Sequence, residues 1–388
     1  MINILFIHQS AELYGSDKTL LVLLSKLDKS KFCAIAILPC DGPLKKALEK
    51  ENIKVVIAPV LKLYRKMFSL KNILLFVKDI KKAILILDGL HKEYKFNLVY
   101  SNTLAVLLGI IYAKKRKIKH IWHVHEIIES PKFFTKIFTK ILNAKSNTQT
   151  VFNSIATQKF WEANAGSSAK TKVIWNGLEI PGSIISSQEI ITKRENLLHS
   201  NEDDIVIALV GRISRWKGQM VLLKAFYELS KTKTNIKLVF IGSPPPNQEI
   251  FLENLHKQIH KYQISKKVMI IPFQNEIDKI WQCIDIAVIP SSEPEPFGLV
   301  AVEAMLAKKP VIASSHGGLT EIILDNETGF LIEPNNENEL YEALVKLIEN
   351  PGVRSVFGEN GYQRAINTFS ADKYVQSFEN LFIEILNK

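Results

Sequence analysis

Along the first sixty residues, short apolar runs alternate with stretches of helical periodicity. Ile2 to Ile7, Ala34 to Leu38 and Val55 to Ala58 have the length of buried strands, while Thr19 to Leu27 and Leu44 to Glu51 carry apolar residues at helix spacing between them. Buried strands separated by amphipathic helices predict parallel strands joined by crossovers. The rhythm restarts later: Ile205 to Val210, Lys237 to Ile241, Val268 to Ile271, Ile286 to Ile289 and Pro310 to Ala313 read as strands, with helices near 218–231, 249–263, 276–283 and 298–307. Residues 181–203 are polar and weakly periodic, which reads as a linker. The expected fold class is α/β, with two doubly wound domains.

Composition agrees and removes some alternatives. A chain of 388 residues, 47% apolar, has room for two or three packed domains. Cys33, Cys40 and Cys283 are too scattered for a disulfide framework or a zinc site, and a reducing cytoplasm fits them. The opening MINILFIHQS has no basic stretch before its short apolar run, so it reads as a first strand rather than a signal peptide. The longest membrane-span candidate, Leu104 to Ala113, is half of the roughly 20 residues a spanning helix needs. Charge is uneven: residues 1–200 hold 31 Lys/Arg against 15 Asp/Glu, whereas residues 201–388 hold 19 against 24. A basic first half favours an anionic partner, whether lipid headgroup, acidic glycan or nucleic acid.

In open α/β sheets ligands bind beyond the carboxyl ends of strands, so the loops there carry the search for chemistry. HQSAELYGSDKT follows the first strand, HVHE follows the strand ending near Trp122, GRISRWKG follows Val210, and PSSEPEPFG follows Ile289. In the last, Pro296 and Gly298 suit a helix start, where unpaired amides and the positive dipole end accept an anion. Glu295 sits just outside that helix and Glu303 lies within an apolar run, where an unpaired buried carboxylate is costly. The plainer reading has Glu295 complementing the dipole and Glu303 at the surface. Arg212 and Lys217 in GRISRWKG match neither a Walker loop nor a dinucleotide fingerprint, but beside a helix terminus they suit a diphosphate clamp. His123 and His125 lack further ligands for a metal, so no metal site is expected; a strand-end histidine donating to a ligand oxygen competes with a structural one. Gly15 permits close backbone approach, Ser16 or Asp17 can cap the helix after it, and Gly317 with Gly318 raise the same question of close approach.

Taken in order, GRISRWKG, IDIAVIPSSEPEPFGLVAVEAMLAKKPVIAS and GGLTEIILDNETGFLIEP resemble family 4 of the retaining glycosyltransferases, of GT-B fold. The resemblance extends more weakly over almost the whole chain. It implies two Rossmann-like domains facing a cleft: an acceptor domain at 1–180, a linker at 181–203, a nucleotide-sugar donor domain at 204–370, and a helix at 371–388 returning to the first domain. By matching motif, Glu303 would hold the donor ribose. Glu295 and the backbone of Phe297, Gly298 and Leu299 would hold sugar and diphosphate, with Arg212 and Lys217 as the diphosphate-binding pair. His125 would contact the transferred sugar, in a His-Glu pair where the family usually has His-Asp. Gly15 and Ser16 match the amino-terminal glycine loop, although Tyr14-Gly15 replaces the usual Gly-Gly. Asn176 falls in VIWNGLEI, which resembles the family's Asn-Gly-Val-Asp, with Glu179 replacing the acid. Donor-base recognition is expected near Phe273 and Gln274.

The resemblance implies a UDP- or GDP-linked sugar donor, a glycan or lipid-linked acceptor in cell-surface polysaccharide or lipopolysaccharide synthesis, and no cofactor or metal. Residues 61–87 combine Ile73, Phe76, Val77, Ile80, Ile84 and Leu87 with Lys71, Lys78, Lys81 and Lys82, which suits either a helix lying on an anionic membrane or a core helix with a solvated lysine face. KKRKIK at 114–119 adds to the basic half. A peripheral position on the cytoplasmic face of the membrane follows from the first reading. The alternatives are a nucleotide-sugar epimerase or phosphorylase on a similar scaffold, without an evident cofactor-anchoring lysine segment, and a basic glycan- or nucleic-acid-binding protein. No recognition motif accompanies the charge, so nucleic acid is not expected.

Overall fold

The computed structural model describes residues 1–62, 70–165, 170–182 and 184–387. It divides into two compact units, Met1–Glu179 with Ala371–Lys388, and Ile180–Ser370. The first holds strands β1 (Ile2–His8), β2 (Phe32–Leu38), β3 (Lys54–Ile57), β4 (Leu98–Asn102), β5 (Lys119–Val124), β6 (Gln149–Phe152) and β7 (Thr171–Val173). Its helices are α1 (Gly15–Lys26), α2 (Pro43–Lys50), α3 (Leu70–Tyr94), α4 (Leu108–Arg116), α5 (Lys132–Leu142) and α6 (Ile155–Ala165). The second unit begins with α7 (Ser187–Asn196) and holds β8 (Ile205–Val210), α8 (Gln219–Ser230), β9 (Ile236–Ile241), α9 (Ile250–Lys261), β10 (Val268–Ile271), α10 (Ile277–Gln282) and β11 (Ile286–Ile289). It continues with α11 (Leu299–Leu306), β12 (Val311–Ser314), α12 (Leu319–Ile322), β13 (Gly329–Ile332), α13 (Glu337–Glu349) and α14 (Pro351–Thr368). The last helix, α15 (Ala371–Asn387), belongs to the first unit.

Both sheets are parallel and doubly wound, in the orders β3-β2-β1-β4-β5-β6-β7 and β10-β9-β8-β11-β12-β13. Each order reverses once, between β1 and β4 and between β8 and β11, and a crevice opens at such a switch point. Strand β1 shows why its sequence reads as a continuous apolar run. Ile4 and Phe6 pack under α1 and α15, Leu5 and Ile7 pack under α3 and α4, and all four are inaccessible to water. Each such side chain contributes roughly 1.5–3 kcal/mol of burial energy. Helix α15 lays Tyr374, Val375, Phe378, Leu381, Phe382 and Ile385 along one stripe, and Phe382 meets the rings of Phe6, Phe32 and Tyr100 at 6.2, 5.9 and 6.1 Å.

Two sequence expectations change. The polar stretch at 181–203 contains helix α7, whose Ser186 hydroxyl accepts from the Glu189 amide at 3.2 Å, so Ser-x-x-Glu works there as a capping signal. Arg194 fixes it to the second unit through Asp285 at 3.3 Å. Helix α3 turns Phe76, Ile80, Ala83, Ile84 and Leu87 into the core, so most of the apolar stripe read as a membrane-facing surface is already covered. Leu75, Val77 and Leu85 remain exposed beside Lys78, Lys81 and Lys82. The side chains of Lys71 and Ile73 lie outside the described residues.

Candidate functional site

In the second unit the loops after β8 and β11, neighbours in the sheet, come together. The β8 loop ends at Gly218, the residue before α8, whose φ of 77° is left-handed; a Cβ there would meet the Pro290 carbonyl oxygen at 1.9 Å. Glycine therefore lets this loop close on the end of β11, and the Ser292 amide donates to the Trp216 carbonyl at 2.8 Å. That closure brings Lys217 to Glu295. Their Nζ–Oε1 distance is 2.5 Å, and the same Oε1 accepts from the Ser291 hydroxyl at 2.6 Å. Glu295 is 5% exposed, so the pair is largely withdrawn from water and strongly coupled. Glu293, the neighbouring acid, pairs instead with Arg215 on the exposed side.

The backbone of Glu295 to Phe297 rests against Gly317 and Gly318. A Cβ on Gly317 would lie 2.4 Å from the Glu295 carbonyl oxygen, and one on Gly318 would lie 2.5 Å from Phe297 Cα. The Gly318 amide donates to the Glu295 carbonyl at 2.8 Å, and His316 Nε2 donates to the Ser291 carbonyl at 2.9 Å. Close approach by glycine thus fixes the segment that enters α11. Gly298, at a φ of 115°, turns the chain into that helix, and Leu299 begins it without a side-chain cap. The Ala301 amide donates to the Gly298 carbonyl at 2.9 Å, which leaves the Leu299 and Val300 amides of the first turn for an anion. Phe297 is buried, with its ring 5.7 Å from that of Phe369. Glu303 is half-buried although Val302 and Ala304 are fully buried, so the costly buried carboxylate that the sequence suggested is not what the fold contains. Arg212 is exposed on the β8 loop, its carbonyl accepting from Gln219. Gln274 bonds its own loop at the Pro272 carbonyl, and Phe273 is 43% exposed.

In the first unit the register of the strands aligns polar residues at the carboxyl edge. His8 pairs with Asn102 across β1 and β4, and Asn102 with His123 across β4 and β5. Strand β5 runs to Val124, so His123 is a strand residue, fully buried, and only His125 lies past the end. Asn102 Nδ2 donates to the Ser16 carbonyl at 3.2 Å and to His8 Nδ1 at 3.0 Å; His8 Nε2 meets Asp17 Oδ1 at 2.5 Å. Asn102 Oδ1 lies 2.8 Å from His125 Nε2, which is also 3.1 Å from His123 Nδ1. Burial pushes the imidazole of His125 down to about 3, with His8 as a smaller cause, and pushes that of His123 well below its ordinary range. Desolvation lifts Glu126 to about 7, opposed by the Leu104 and His125 amides that donate to it. Gly15 is the first residue of α1, and Asp17 rather than Ser16 closes that terminus, accepting from the Tyr14 amide at 2.9 Å. Asn176 is buried, its amide oxygen without a hydrogen-bond partner.

The expected residues therefore fall into two groups. Lys217, Glu295, Phe297, Gly298 and Leu299 assemble in the second unit, with Arg212, Gln274 and Glu303 on the same unit; Gly15, Ser16, His125 and Asn176 lie in the first. Sequence reasoning missed His8, Asn102 and Ser291. A polar residue closing an otherwise apolar strand marks the first two; Ser291 carries no such mark. Among the described residues no cluster of three His, Cys, Asp or Glu side chains could hold a metal ion, and no helix is long and apolar enough to cross a membrane.

Residues 191–364 match the family described as glycosyl transferases group 1. Anabaena HepE in complex with UDP and glucose is similar over 98% of this chain and 99% of its own, at 26% identity and a TM-score of 0.83; the same protein is also known with UDP-glucose. The capsular polysaccharide biosynthesis glycosyltransferase CapM of Staphylococcus aureus is 25% identical over 331 residues, 82% of this chain and 84% of its own. The lipopolysaccharide 1,2-N-acetylglucosaminetransferase of Salmonella typhimurium is 30% identical over 187 residues, 47% and 49% of the two chains. With two doubly wound units and these relatives, the chain has the GT-B fold of glycosyltransferases, and the match to the group 1 family lies in its second unit.

Proposed function

We propose that the protein is a retaining glycosyltransferase of family 4 that moves a hexose from UDP to a glycan or lipid-linked acceptor in cell-surface polysaccharide or lipopolysaccharide synthesis. The observation that carries this reading is the buried Lys217–Glu295 pair beside the uncapped start of α11. A departing diphosphate needs fixed positive charge, and Lys217, Arg212 and the first amides of α11 supply it without a metal. Glu295 takes the sugar hydroxyls together with the backbone of Phe297, Gly298 and Leu299, Glu303 takes the ribose, and His125 contacts the transferred sugar. Gly15, Ser16 and Asn176 line the phosphate and acceptor approach, and Gln274 lies near the base. The anomeric carbon–oxygen bond to the diphosphate breaks with its electron pair leaving on phosphate. The acceptor oxygen bonds the same face of the sugar, and its proton passes to that phosphate oxygen. UDP is favoured over GDP by the likeness to HepE with UDP-glucose, and the polysaccharide role by the likeness to CapM and the Salmonella enzyme.

The test is a panel of nucleotide sugars screened by thermal shift, followed by transfer to membrane extracts. Wild type is expected to turn over UDP-hexose equally with and without EDTA, and Glu303→Ala and Arg212→Ala to lose turnover while remaining folded. Turnover equal to wild type in both variants sinks the site assignment. The first unit carries 31 Lys/Arg against 16 Asp/Glu, and with exposed Leu75, Val77, Leu85 and Phe133 it suits a peripheral contact with anionic lipid on the cytoplasmic face. Failure to bind anionic liposomes at low salt removes that part.

A further inference from the structure

The polar chain at the edge of the first sheet has only one consistent set of proton positions. It begins at two acceptors, the Ser16 carbonyl and the Asp17 carboxylate, which also takes the Tyr14 amide and the Ser10 hydroxyl. Because Asn102 Nδ2 donates to the Ser16 carbonyl, its amide orientation is set. The same Nδ2 faces His8 Nδ1, which must accept, so the His8 proton is on Nε2, directed at Asp17 Oδ1. The other end of the amide, Oδ1, faces His125 Nε2 at 2.8 Å, so that nitrogen carries a proton. His123 Nδ1, 3.1 Å away, accepts a second share of the same N–H, and Tyr100 Oη donates to it at 2.6 Å. The remaining His123 proton is then on Nε2, which is buried without a hydrogen-bond partner. Asp17, His8, Asn102 and His123 are each at most 2% exposed, so water does not compete for these bonds.

We infer that Asn102 is a positioning residue that, braced by His8 and Asp17, locks His125 as the neutral imidazole with its proton inward and the Nδ1 lone pair outward. The outward atom of His125 is therefore an acceptor, in contrast to the donor expected from sequence. This inference rests on the reading that His125 contacts the transferred sugar. It names the group His125 takes there: a hydroxyl that donates, as in a neutral hexose, with discrimination against a carboxylate, as in a uronic acid. A carboxylate would face a lone pair with no proton to share, and of the charged groups around His125 in its own unit Asp17 and Glu126 are acids, with Lys62 acting on Glu126. Burial, with His8 beside it, keeps the ring uncharged at neutral pH.

The test uses the intact chain with ¹⁵N-labelled histidine, read by long-range proton–nitrogen correlation at pH 7, with His125→Gln assigning the signal. Wild type is expected to show His125 with its proton on Nε2 and a bare Nδ1. In Asn102→Asp, the carboxylate beside Nε2 stabilises the imidazolium, so Nδ1 gains a proton and the signal shifts to the doubly protonated pattern. In Asn102→Leu the acceptor is gone, and the two neutral tautomers mix. In parallel, the kcat/KM ratio of UDP-glucose to UDP-glucuronate is expected to fall by about tenfold in Asn102→Asp, the scale of one charge-assisted hydrogen bond. A wild-type proton on Nδ1, or a His125 signal unchanged in both folded variants, overturns the lock. An intact tautomer shift with an unchanged sugar ratio overturns the hydroxyl assignment and removes His125 from the sugar, while leaving glycosyl transfer itself standing.

Discussion

Gly318→Ala adds one methyl group where two backbones touch. Gly318 has φ −65° and ψ −15°, ordinary helical values, so alanine brings no dihedral strain and the whole effect comes from contact. Its Cβ would lie 2.5 Å from both Phe297 Cα and Phe297 O, whereas ordinary contacts begin at 3.4 Å. The α12 turn and the 295–297 segment must separate by roughly 1 Å, an overpacking that costs about 1–3 kcal/mol. The Gly318 amide to Glu295 carbonyl bond, 2.8 Å long, is stretched or lost, at about 1 kcal/mol. Alanine's smaller loss of backbone freedom on folding returns roughly 0.4–1 kcal/mol at these dihedrals, leaving a net loss of about 2 kcal/mol. The same displacement moves the entry to α11, and a misplacement of about 1 Å can weaken a positioned contact by up to a hundredfold. Urea unfolding of the intact chain, followed through Trp216 and Trp281, reads the first effect, and calorimetric titration with UDP reads the second. Gly352→Ala is the control: nothing lies within 4 Å of its Cβ in helix α14, and it should be neutral or slightly stabilising. If Gly318→Ala matches Gly352→Ala in unfolding midpoint and in UDP affinity, the close approach does not hold α11 in place.

Two further predictions concern the first unit. His120 is fully buried between Asn147 Oδ1 at 3.0 Å and Ser101 Oγ at 2.9 Å, and burial pushes its pKa down to about 4. The unfolded chain, near the ordinary 6.5, then binds more protons between those values, so this group adds stability that is present at neutral pH and is lost as pH falls through the window, by about 3 kcal/mol. Glu126, raised to about 7, acts with the opposite sign between the ordinary carboxylate range and neutrality, so the measurement is the difference in urea midpoint between wild type and His120→Gln at pH 7 and pH 4.5. The gap should narrow in acid, and a pH-independent gap contradicts the assignment. Phe382→Ala removes a fully buried ring among four aromatic partners and should cost about 3–5 kcal/mol; a loss below about 1 kcal/mol would show that α15 is not part of the first core.

The strands and their alternation with helices were legible because burial on both faces leaves unbroken apolar runs such as Leu5-Phe6-Ile7, with no polar face to confuse the period. Helix α7 was missed because none of its residues is fully buried; its signature was the Ser186–Glu189 cap, a local hydrogen bond rather than a hydrophobic stripe. Lys217 and Glu295 were legible individually, but their contact depends on Gly218 passing beneath the Pro290 carbonyl, a matter of tertiary approach. The His8–Asn102–His123 row lay beyond reach for the same kind of reason: residues 94 and 21 positions apart are aligned only by parallel register. Glu303 shows the reverse error, since neighbours in sequence suggested burial that the helix rotates away from.

The final helix has a consequence for synthesis. The first unit is discontinuous: the second, an uninterrupted stretch, lies between its two pieces in the chain. During translation from the amino terminus, Phe6, Leu20 and Tyr100 are made early, yet the aromatic surface that seals them, Tyr374, Phe378 and Phe382, leaves the ribosome only after the whole second unit. The later unit can therefore finish folding while the earlier one still exposes an unsealed apolar trough to chaperones and to aggregation. His123, 5.1 Å from the ring of Phe378, gains its dry surroundings only at that final step. A truncation within α15, distant in sequence from the first sheet, would here act as a defect in that sheet.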